Sequence, residues 1–155
     1  MLTVKGKVIF DPENKTRKHE SQSKWKRVVL IQLDCETYAY YAWFVNRRYN
    51  LILNRPLRGT HVTIVNDVVD RSELYDAAKA KYNGKLMEFT FDPDARTNGE
   101  HWWLRVSSNE AEDLREEIGL TRKPYFNLHL TLGHANEKHI AHAEYIHKCV
   151  QMYGA

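Results

Sequence analysis

The chain is poor in cysteine: Cys35 and Cys149 are the only two among 155 residues. Two isolated cysteines cannot build the disulfide framework of a small secreted domain. Without paired spacing they do not outline a zinc site either, so a reducing compartment is expected. Long hydrophobic runs are also missing. No apolar stretch approaches the roughly 20 residues that span a bilayer, and no basic-then-apolar leader opens the chain, so the expected location is the cytoplasm. Repeats and low-complexity linkers are absent too, and the length is that of one ordinary domain. What is present is 43% hydrophobic and 12% aromatic content, which fits a packed core rather than disorder.

The net charge of +3 conceals an uneven distribution. Residues 1–60 carry 12 Lys and Arg against 5 Asp and Glu, or +7, and residues 61–155 carry 11 against 15, or −4. The basic side chains concentrate in KTRKHESQSKWKR (15–27) and NRRYNLILNRPLRG (46–59). Such a field attracts phosphates, although a single basic run is more often a solvated loop.

Six segments rich in β-branched and apolar residues read as strands: 3–10, 27–34, 60–65, 85–91, 100–106 and 128–133. Helices are predicted over 35–50, over 70–82 with Asp70 as cap and Gly84 as stop, from Ser108 or Asn109 to Gly119, and over 137–152. In the first, Tyr38, Tyr41, Phe44 and Val45 fall at helical spacing, and Tyr38, Tyr41, Trp43 and Phe44 are expected to supply core. Interleaved strands and helices with hairpin-like neighbours predict an α+β domain.

Two of the strands repeat one pattern. THVTIVN (60–66) and NLHLTLGH (127–134) both read His, apolar, Thr, apolar. On a strand, alternate residues share a face, so His61 and Thr63 share one surface while Val62 and Ile64 enter the core. His129 and Thr131 stand likewise opposite Leu130 and Leu132. A lone histidine in an apolar strand is usually a satisfied structural residue, and a strand threonine follows from β propensity alone. Two copies carry more weight than one.

The chemistry follows from residue type. An imidazole has an unperturbed pKa near about 6.5, so two of them flanking a phosphodiester can hold opposite protonation states near neutrality. One takes a proton from the attacking hydroxyl or water and the other gives one to the leaving oxygen. The hydroxyls of Thr63 and Thr131 can donate to the nonbridging oxygens as charge grows there. No metal or other cofactor is required, and which histidine is the base depends on the side the leaving group occupies.

These motifs, with the run HWWLRVSSNEAEDLREEIGLTRKPYFNLHLTLGH (101–134), resemble the 2H phosphoesterase superfamily over about residues 55–135. The resemblance implies a bilobal fold, with two antiparallel sheets and outer helices facing a central cleft, residues 1–155 forming one domain of two pseudo-symmetric lobes. It implies a hydrolase whose substrate is a nucleotide or RNA-like oligonucleotide: a 2′,3′-cyclic end, a 2′-5′ linkage or a cyclic oligonucleotide messenger. Family members include bacteriophage enzymes that destroy such messengers of bacterial immunity, the anti-CBASS type, for which the location would be the host cytoplasm. The long basic loop from Asp11 to Lys26 departs from the commoner pattern and leaves the substrate open.

Further candidates lie nearby. Arg55 and Arg58 precede the first motif closely enough to reach a phosphate. Trp102 and Trp103 must face opposite sides of their strand, one filling the core and one free to stack a nucleobase; we assign the stacking role to Trp102, and a similar one to Tyr125. His134, His139, His142 and His147 invite a zinc hydrolase reading that lacks an evident third ligand and carboxylate at fixed spacing. The alternative from another class is a module that binds RNA or a nucleotide in the same cleft without cleaving it.

Overall fold

The computed structural model describes residues 1–12, 26–54 and 59–135. Seven strands and three helices alternate among the described residues. They are β1 (Leu2–Phe10), β2 (Lys26–Gln32), α1 (Cys35–Tyr49), β3 (His61–Val68), α2 (Ser72–Tyr82), β4 (Leu86–Phe91), β5 (Arg96–Thr97), β6 (His101–Ser107), α3 (Asn109–Glu117) and β7 (His129–His134). Every predicted strand forms, and the α+β class holds. The helix predicted over 137–152, the basic stretch 13–25 and the pair Arg55 and Arg58 lie outside the described residues.

All pairings are antiparallel, in the order β4-β1-β2-β3-β7-β6-β5, and β4 also pairs with β6. Six strands therefore close into a ring, with β5 attached to β6. This differs from two separate sheets facing one another. The ring nonetheless divides into two halves of like order, β1-β2-α1-β3 and β4-β6-α3-β7, joined at β1–β4 and at β3–β7. Closure has a plain cause: strands left at an edge would expose a row of unpaired N–H and C=O groups.

The alternation within each strand fixes what is buried. Val62, Leu130 and Leu132 are 0% exposed and Ile64 1%, as the period-two reading requires. They join Val8, Ile31, Phe89 and Leu104 from the other strands, together with Val45 of α1, Tyr75 and Ala78 of α2, and Ala111, Leu114 and Ile118 of α3, in one hydrophobic cluster. Burying each large aliphatic side chain contributes about 1.5–3 kcal/mol, so this face holds the ring in register.

Helix details depart from expectation twice. Arg71, not Asp70, occupies the cap position of α2, with no side-chain cap bond, whereas Ser108 caps α3 by accepting from the Ala111 N–H at 3.2 Å. In α1 the core side is Tyr41, Ala42 and Val45; Trp43 and Phe44 are 57% and 44% exposed, and the side chain of Tyr38 lies outside the description. At the end of β1, Tyr75 Oη donates to Asp11 at 2.7 Å, and burial with that carboxylate holds the phenol well above its usual range.

One buried charge ties the halves together. Arg115 of α3, 2% exposed, donates from Nε to the Thr121 carbonyl at 2.8 Å and from Nη1 to the Ile64 carbonyl and Asp67 at 2.9 Å each. It thus grips β3 just beyond Thr63 and, at the same time, the loop leading to His129. Breaking a buried pair typically costs about 3–5 kcal/mol, but Asp67 is partly exposed and would regain water. The expected loss for Arg115→Met is therefore about 2–4 kcal/mol, most of it from the two orphaned carbonyls. Urea unfolding measures it, and a loss below about 0.5 kcal/mol, the scale of an ordinary surface change, would contradict the assignment.

Candidate active site

Strands β3 and β7 meet at Val62 and Leu130. Carried one residue to either side, the antiparallel register sets His61 opposite Thr131 and Thr63 opposite His129. All four side chains are half-buried, on the face opposite the core. Diagonal positions across an antiparallel pair lie about 7–8 Å apart, which is the backbone spacing of His61 and His129 in this register. The two motifs, 68 positions apart in the chain, form one cluster.

The two rings are held alike. His61 Nδ1 lies 2.8 Å from the Gly59 carbonyl, and His129 Nδ1 lies 2.7 Å from the Asn127 carbonyl, in each case two residues upstream. A carbonyl oxygen can only accept, so Nδ1 carries the proton in both neutral rings and Nε2 carries the lone pair. The residue between anchor and histidine, Thr60 or Leu128, is buried and fixes the turn into the strand. At the first motif the turn needs Gly59 in the left-handed region, φ +70. Thr60 then accepts at its carbonyl from the Leu33 N–H at 3.0 Å and from Gln32 Nε2 at 3.0 Å.

The same face continues onto the neighbouring strands. Paired residues run Lys7, Gln32, His61 and Thr131, Trp103, Arg96 in one row, and Ile9, Leu30, Thr63 and His129, Arg105 in the next, the two sides of each row being aligned by extending the Val62–Leu130 register one residue. A cavity of about 520 Å³ lies over β1 and β2, lined by Lys7, Ile9, Asp11, Leu30, Gln32 and Asn83 among others; no residue of the two motifs lines it. Gly133, at φ +146, leaves room for the backbone at Asn54 to dock on the end of β7, where Asn54 N–H donates to the His134 carbonyl at 2.8 Å.

Of the aromatic candidates, Trp102 must be corrected. It is 5% exposed and packs against Tyr49 with ring centroids 4.6 Å apart, so it belongs to the core. Trp103 is the half-buried one on the polar face, opposite Thr131. Trp102 shares its parity along β6 with Leu104 and Val106, both buried, so the alternation of that strand is the signal that places it inward. Tyr125 is 93% exposed, and its ring partner among the described residues is Phe126. Lys7, Arg96 and Arg105 were missed; cross-strand pairing is the signal that finds them.

Histidine outside the two motifs gives a different picture. His134 is exposed beside His101, with ring centroids 5.9 Å apart. Among the described residues no group of three or more His, Cys, Asp or Glu is placed to hold a metal ion, and His139, His142 and His147 lie outside those residues.

The ring anchoring makes a direct prediction. In ¹⁵N-resolved NMR above the titration of both rings, His61 and His129 should each show a protonated Nδ1 and an unprotonated Nε2; the opposite tautomer in either ring would contradict the anchoring. No protein-family model, no curated protein and no solved structure matches the chain.

Proposed function

We propose that the chain is a metal-independent phosphodiesterase of the 2H type, acting on an RNA-like or nucleotide phosphodiester. The observation that supports it is the cross-strand quartet, with each His diagonal to the other and each ring held at Nδ1 by the carbonyl two residues upstream. On this reading the two halves of the ring correspond to the two lobes of that superfamily.

The mechanism divides the work evenly. A phosphodiester seated over the Val62–Leu130 pair places its phosphorus between the two Nε2 atoms. The neutral histidine takes a proton from the attacking 2′-hydroxyl or water at its Nε2 lone pair. The charged histidine donates its Nε2 proton to the leaving oxygen, so the pair ends the step with protonation states exchanged. Thr63 and Thr131 donate to the nonbridging oxygens, where negative charge increases in the transition state. Because the site is two-fold in outline, the side taken by the leaving group sets which ring acts as acid. Trp103, next to Thr131, offers an indole face for a base.

The test combines turnover with binding. In the presence of chelator, the protein should cleave at least one member of a panel of 2′,3′-cyclic, 2′-5′ linked and cyclic oligonucleotides. His61→Ala and His129→Ala should each lower the rate by about 10²- to 10⁴-fold with the fold intact, and the wild-type rate should be bell-shaped in pH. Tight binding without product would establish the non-catalytic module instead. A variant of either histidine that turned over near the wild-type rate would overturn the two-histidine mechanism.

A further inference from the structure

We propose that the substrate is a single-stranded oligonucleotide, several nucleotides long, whose phosphates on both sides of the scissile one are held by Lys7, Arg96 and Arg105; this rests on the reading of the quartet given above. Paired residues on neighbouring strands share a face, so the two cross-strand rows bring these three cations onto the surface that carries the histidines. Strands lie about 4.8 Å apart. Lys7 is two strands from His61 on one side, and Arg96 two strands from Thr131 on the other, each about 10 Å away across the sheet. Arg105 stands directly opposite His129.

All three side chains are exposed, and none forms an ion pair or a side-chain hydrogen bond among the described residues. Neither row contains a carboxylate. This contrasts with the helical surface, where Lys81 and Arg122 are paired to Glu117 and to Asp113. A single nucleotide centred on the quartet would leave the outer cations unused, whereas a chain laid across the strands meets them with successive phosphates. Trp103, between Thr131 and Arg96 in the same row, adds a stacking surface on that path.

The experiment is equilibrium binding, by fluorescence anisotropy in chelator, of 2′-O-methyl oligouridylates of different length at several salt concentrations. Affinity should rise about tenfold or more between one and four nucleotides, and the salt dependence should steepen by about 0.7 in log–log slope for each added phosphate contact. The triple variant Lys7→Ala, Arg96→Ala, Arg105→Ala should lose most of that length dependence and flatten the salt slope. Its three sites are outside the core, and thermal unfolding verifies that the fold is kept. Affinity independent of length in the wild type, or length dependence retained by the folded triple variant, would overturn the proposal. Binding does not require turnover, so the two readings separate. Length-dependent binding without cleavage of any RNA would sink the phosphodiesterase and keep the oligonucleotide path over the three cations, as that of a binding module; cleavage of a mononucleotide cyclic phosphate without length dependence would do the reverse.

Discussion

The antiparallel contact between β3 and β7 is the constraint on which everything else depends. It joins the two halves of the ring at Val62 and Leu130, both 0% exposed, and so places two distant His-x-Thr pairs side by side. A slip of one residue would carry each histidine into the core and each aliphatic side chain into water. Loss of burial for Val62, Ile64, Leu130 and Leu132 would cost about 1.5–3 kcal/mol each, far more than any polar group on the other face returns. The hydrophobic face thereby sets the geometry of the polar one.

Orientation is fixed a second time at the rings. Each imidazole is anchored by a backbone carbonyl of its own strand entry, and those entries are held by buried Thr60 and Leu128. Arg115 links β3 beyond Thr63 to the loop that leads to His129. Groups carried on paired strands and locked in rotamer need little reorganisation when substrate binds, which is the condition for efficient proton transfer and charge stabilisation. The two-fold outline of the site suits a reaction in which one proton is removed and another delivered.

Much of this was legible in the sequence. Period-two alternation gave the strands, the shared face of His61 with Thr63 and of His129 with Thr131, and the buried partners of each. Capping by Ser108 and the stop at Gly119 were readable because those signals are local. What stayed hidden depends on non-local pairing. That β1 meets β4 and β3 meets β7 to close one sheet follows from which edges find one another, and no segment records that alone. Trp102 was readable as core from its shared parity with Leu104 and Val106, whereas its ring contact with Tyr49 depends on where α1 docks. In α1, helical spacing selected Tyr41 and Val45 correctly, but Ala42 rather than Phe44 completes the buried stripe, and Trp43 lies beneath the Arg47 guanidinium at 5.7 Å. Lys7, Arg96 and Arg105 carry no local signal and acquire meaning only through their cross-strand partners.

The most direct test of the central claim is a crystal structure of the protein with uridine and vanadate, which together mimic the five-coordinate phosphorus of the proposed phosphodiester cleavage. The account predicts one vanadium over the Val62–Leu130 pair, with an apical oxygen within about 2.6–3.2 Å of Nε2 of each histidine and the equatorial oxygens facing the two threonine hydroxyls. Vanadate bound to one histidine alone, or at a place remote from both, would contradict it.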